Sequence, residues 1–124
     1  MVTVYRQGSH ADVLLGKFLP GRGIALDDGF HELRVDLVAI YIDQIGSQGP
    51  DIGVDLAEEH GVPVYPSIRQ ALCCGGAQLA VDGVLMIGEH GDYPWNEKHQ
   101  QIFPRKYFME QICGVFSESG RAVP

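Results

Sequence analysis

The sequence has no apolar run near the ~20 residues a helix needs to span a bilayer, few positive charges and few cysteines. Nine Lys+Arg face 16 Asp+Glu, for a formal net charge of -7. That balance excludes the basic footprint of non-specific nucleic-acid binding and a polybasic membrane patch. Three cysteines, Cys73, Cys74 and Cys113, are neither a disulfide framework nor a zinc signature, so a reducing, cytoplasmic setting is expected. Residues 1–18 lack a charged start followed by a long greasy stretch, so no signal peptide is visible. There is no internal repeat.

What is present suits one folded domain spanning residues 1–124. Hydrophobic residues make up 45% of the chain, enough for a buried core, and most of the 16 glycines fall between periodic segments, where they mark turns. Residues 2–5 form a short β-branched and aromatic run. At 10–18, Ala11, Val13, Leu14, Leu15 and Phe18 fit one stripe of a helix, with Ser9 as N-cap and Asp12 completing a weak capping pattern. Residues 20–34 form a Gly-rich, charged connection. The run 35–42 (VDLVAIYI) has the nearly continuous apolar character of a strand covered on both faces. A helix over 52–60 is stopped by Gly61, and residues 62–65, interrupted by Pro63, suit an edge. Ser67 caps a helix to about Leu72, and residues 79–87 (LAVDGVLMI) form another strand. The last helix, 105–117, has Tyr107, Phe108, Ile112, Val115 and Phe116 on its apolar stripe, and places Cys113 in the core. This βαβαβαβα order predicts an α/β protein, a three-layer Rossmann-like parallel sheet with right-handed crossovers. Residues 121–124 look like a strand that has just begun, so the sheet is expected to be truncated after the last helix and completed in a homo-oligomer, as a homodimer.

Two stretches carry a family likeness: DLVAIYID at 36–43 and DLAEEHGVPVYPSIRQAL at 55–72. They resemble the nucleotide-binding half of the Gfo/Idh/MocA-type oxidoreductases. VDGVLMIGEHGDYP at 81–94 stands where that family has a strand and its substrate-side loop. The SHAD segment at 9–12 and IGEHGDYP at 87–94 are more similar still to poorly characterised relatives of the family, for which no reaction is established. The resemblance implies NAD or NADP binding and hydride transfer on a polyol- or sugar-like substrate. The departures are specific. The first turn reads Gly8-Ser9-His10-Ala11-Asp12-Val13, in which only Gly8 matches a dinucleotide fingerprint and Asp12 brings negative charge to the phosphate position. The family's Lys-Pro catalytic motif and its second domain are absent, so this chain alone is not a complete dehydrogenase.

In an open parallel sheet, ligands bind beyond the carboxyl ends of the strands. Three polar clusters are expected there: Gly8, Ser9 and His10; Asp43 and Gln44; and Gly88, Glu89, His90, Gly91, Asp92 and Tyr93. Gly8, Ser9, His10, Asp43 and Gly88 would line a cofactor, with Asp43 on a ribose hydroxyl. His90 would serve as acid or base, with Glu89 or Asp92 orienting its ring. Other readings stay open: a plain polar surface loop, a non-catalytic binding or dimerising module for a small-molecule ligand or nucleotide, or a metal-dependent enzyme in which His10 joins His90 and a carboxylate. No local spacing supports a metal site, and none is assigned.

Overall fold

A cluster of four short extended segments, each touching the next at a single residue, organises the molecule. A computed structural model describes residues 1–47 and 49–124. Parallel bridges join Val64 to Ile40, Ile42 to Val2, and Val2 to Ile87. Backbone hydrogen bonds fix the register: the Val2 amide donates to Tyr41 O at 2.9 Å, and the Thr3 amide to Ile87 O at 3.2 Å. Val2, Ile40, Ile42 and Ile87 pack in one apolar cluster with Leu15 and Ala57. Met1, Tyr41, Val84 and Met86 pack against a second cluster, built on Leu72, Phe108, Ile112 and Val115.

The expected three-layer Rossmann-like parallel sheet is not what forms. The parallel pairing stays at single bridges, and the one regular sheet among the described residues is a two-stranded antiparallel hairpin, β1 (Gly23–Leu26) and β2 (Gly29–Glu32). Pro63 supplies no amide to a ladder, and, among the described residues, 35–39 and 81–83 make no backbone hydrogen bonds to a neighbouring segment. The hairpin lies in the stretch expected to be an irregular connection; its two-residue turn, Asp27-Asp28, leads into Gly29, which pairs with Leu26 at φ 132°, a backbone conformation that glycine alone adopts readily.

The helices follow the sequence more closely. α1 spans Gly53–Glu59 and ends at Gly61, which takes φ 67°. α2 spans Ile68–Leu72, and the Ser67 hydroxyl accepts the Gln70 amide at 3.2 Å, as an N-cap should. α3 spans Arg105–Ser119, buries Phe108, Ile112 and Val115, and closes on a left-handed Gly120. Tyr107, expected on the buried stripe, is exposed, and so is Cys113. The regular helix expected over 10–18 is instead a π-helical turn, Ala11–Leu15, followed by a 3-10 turn, Gly16–Phe18. No helix among the described residues is long and apolar enough to cross a membrane.

Candidate functional site

The loops that leave residues 2–5, 40–42 and 84–87 lie beside one another because the segments before them are bridged in parallel. Their contacts centre on the loop 88–93. The buried Thr3 hydroxyl donates to the Glu89 carbonyl oxygen. Arg105, at the start of α3, donates from Nε to Gly88 O at 2.9 Å and pairs through its guanidinium with the Glu89 carboxylate. Gln44 grips the backbone of Asp92 from both sides, donating to its carbonyl at 3.0 Å and accepting its amide at 2.8 Å. Gln101 Nε2 donates to Gly91 O at 2.9 Å. Gly91 is buried at φ 115°, and a Cβ there would lie 2.4 Å from Tyr93 Cε2, so no larger residue fits.

His90 sits within this loop with φ 64°, a conformation non-glycine residues rarely adopt and that costs backbone free energy. It sets the His90 ring against His10, which lies at the start of the π-helical turn: His10 Nδ1 and His90 Nε2 are 3.1 Å apart, and the rings stack at 5.0 Å between centroids with 23° between their planes. A nitrogen–nitrogen contact at that distance is a hydrogen bond in which one ring donates and the other, neutral, accepts. Partial burial lowers the His90 pKa from the usual imidazole value. The charges of Arg6 and His10 lower it further, and Glu89 opposes them. His90 is therefore the natural acceptor at neutral pH.

Asp43 is bound by two tyrosines. Its two carboxylate oxygens accept hydrogen bonds from Tyr41 Oη at 2.5 Å and Tyr93 Oη at 2.6 Å. Burial, then the hydrogen bond to Asp43 and its charge, push both phenols well above the usual tyrosine range. Asp43 thus latches the 88–93 loop to the extended segment at 40–42. Tyr41 and Asp43 are two residues apart on an extended chain and so share a side.

Of the residues expected to line a site, the structure brings His10 and His90 into contact and ties Asp43 to the same loop. It does not assemble the expected acid–base triad. Among the described residues, neither the Glu89 nor the Asp92 carboxylate is hydrogen-bonded to a His90 ring nitrogen: Glu89 turns to Arg105, and Asp92 is exposed, held by its backbone. Gly88 is buried, and Ser9 is buried with its hydroxyl accepting the Asp12 amide at 3.3 Å. Thr3, Tyr41 and Gln101 hold the loop without having been singled out in the sequence, because hydroxyl and amide side chains declare no such role until their partners are known.

Two groups expected to meet a dinucleotide already have partners within the chain. The Gly8 amide, the donor a pyrophosphate would need, already donates to Asp12 Oδ2 at 2.8 Å. Each oxygen of Asp43 accepts a hydrogen bond from a tyrosine. Nor is the metal alternative assembled: among the described residues no group of three His, Cys, Asp or Glu side chains is placed to hold an ion. In comparisons with known proteins, no family model, no curated protein and no solved structure matches the chain.

Proposed function

We propose that the chain binds a small polar or anionic molecule beside the His10–His90 pair and that the pair serves as its proton donor and acceptor. The observation that carries this reading is the 3.1 Å contact between ring nitrogens on residues eighty positions apart in sequence. Three things support it. His90 is held in an unfavourable backbone conformation, a cost that tends to persist at functional positions. Its lowered pKa keeps a basic nitrogen available near neutral pH. Arg6 brings positive charge close enough to be felt at the ring, which favours an anionic ligand over a cationic one. A ligand acid would give its proton to the pair, and a ligand base would take the shared one. Hydride transfer through NAD or NADP draws no support from these contacts.

The test is imidazole-resolved NMR of the whole chain during titration with small carboxylates and with inorganic phosphate. The expected result is that the His10 and His90 ring signals move together, saturate, and stop responding in His10→Ala. Ligand-induced shifts confined to residues away from both rings would overturn the proposal.

A further inference from the structure

The chain is held on both sides of His90. Ahead of it, the Gly88 carbonyl accepts Arg105 Nε at 2.9 Å, and the Glu89 carbonyl accepts the buried Thr3 hydroxyl. After it, the Gly91 carbonyl accepts Gln101 Nε2 at 2.9 Å, and Asp92 is bound through both its backbone groups by the one side chain of Gln44. Gln44 is anchored in turn. Its backbone amide donates to Thr3 O at 2.9 Å, and the Asp43 amide before it donates to Val2 O at 3.0 Å. The side chain that grips the loop therefore leaves from the bridged segments that organise the fold.

The chemistry of this grip is specific to an amide. Asp92 presents its N–H at 2.8 Å from Gln44 Oε1 and its carbonyl at 3.0 Å from Gln44 Nε2. A primary amide supplies an acceptor oxygen and a donor nitrogen side by side, whereas a carboxylate supplies acceptors only and an ammonium donors only. Gln44 Oε1 also closes over Gly91, where a Cβ would lie 3.1 Å from it. Histidine has no intrinsic preference for the left-handed φ of 64° at residue 90, so that conformation persists because its surroundings hold it.

The contact that depends on this conformation is directional. With His10 Nδ1 donating and His90 Nε2 accepting at 3.1 Å, a neutral His90 carries its own proton on Nδ1. That is the reverse of the tautomer a free histidine side chain prefers. Arg6, His10 and Glu89 act on the His90 ring by charge; Gln44 carries none and acts by position.

We infer that Gln44 is a positioning residue for the histidine pair, its amide fixing the backbone after residue 90 so that the His90 ring meets His10. The inference rests on the pair being the proton-transfer site and names what aligns it.

The test is nitrogen-15 NMR of the imidazoles in the whole chain at pH about 8, where imidazoles are neutral. The parent is expected to show His90 mainly as the Nδ1–H tautomer. In Gln44→Leu the share of that tautomer falls by roughly twofold or more, toward the free-histidine ratio. Gln44→Glu, close in shape, sets an oxygen against the Asp92 carbonyl and gives the same loss, so it decides the matter where the leucine variant does not fold. Ser67→Ala, which removes the α2 N-cap and destabilises the chain without touching the loop, keeps the parent ratio. A folded Gln44 variant that keeps the parent ratio, or a Ser67→Ala that loses it equally, would overturn the role of Gln44 and leave the pair standing. A parent without the Nδ1–H form would overturn the pair itself, and the role of Gln44 with it.

Discussion

Replacing Asp43 with alanine separates two accounts of this residue. A ribose-binding Asp43 would be dispensable for folding, and its loss would weaken a nucleotide without changing stability. A latch would not be. Here the carboxylate accepts from two phenols, at 2.5 and 2.6 Å, and each hydrogen bond to a charged group contributes about 1.5–3 kcal/mol net. Tyr41 and Tyr93 are only partly buried, so water recovers some of that loss, and the low end applies: roughly 2–3 kcal/mol for Asp43→Ala. With a urea m-value of about 1–3 kcal/mol/M, the midpoint of unfolding falls by roughly 0.7–3 M, at unchanged slope. Tyr93→Phe alone costs less, because Tyr41 still holds the carboxylate. The double mutant then falls short of additivity by about 1–2 kcal/mol, the coupling expected of side chains in one hydrogen-bond network. An Asp43→Ala midpoint within the error of the parent, or strictly additive effects, would refute the latch.

Three further outcomes follow from the same contacts. Tyr41 and Tyr93 are raised above the ordinary tyrosine value, and burial with the Asp12 charge pushes Tyr5 up to about 12. The folded state therefore holds these protons after the unfolded chain has released them, and stability present below about pH 10 is lost as pH rises beyond it; ultraviolet phenolate titration of Tyr→Phe variants should show Tyr5, Tyr41 and Tyr93 ionising with unfolding. Among the described residues, the buried Tyr5 hydroxyl has no hydrogen-bond partner, so Tyr5→Phe removes an unmet polar group and raises the urea midpoint by the equivalent of about 1 kcal/mol; a lower midpoint would show that the hydroxyl is bonded. A Cβ on Gly53 would stand 2.6 Å from Tyr5 Cβ and Cδ1, so Gly53→Ala forces α1 off residue 5 and costs about 2–3 kcal/mol; a neutral effect by the same measurement would place α1 elsewhere.

The helices were legible because their signals are local. Ser67 before an apolar-periodic segment, Gly61 and Gly120 after one, and the Phe108, Ile112, Val115 spacing each act within a few residues. The strands were not, because an apolar run such as 35–42 reports only that its side chains can be buried. Whether it joins a ladder depends on backbone partners far along the chain, and, among the described residues, 35–39 have none. The hairpin at 23–32 escaped for the opposite reason: β2 is exposed throughout and β1 partly so, leaving little apolar alternation to read. At the site, the meeting of His10 with His90 was legible from the expectation that the loop ends gather on one side. The tyrosine partners of Asp43 were not legible, because one of them lies fifty residues away. Cys113 was misplaced by its neighbours: it follows the buried Ile112 but lies on the outer face of α3.

The central claim is that His90, bent into a left-handed turn, receives a hydrogen bond from His10, and nitrogen-15 spectra of the two imidazoles against pH test it most directly. The account predicts that His90 stays neutral below the ordinary imidazole midpoint of about 6.5, that stability declines as pH falls through that range because the unfolded chain takes up the proton first, and that His10→Ala shifts the His90 titration upward. A His90 that titrates as a free imidazole and is indifferent to His10→Ala would contradict it.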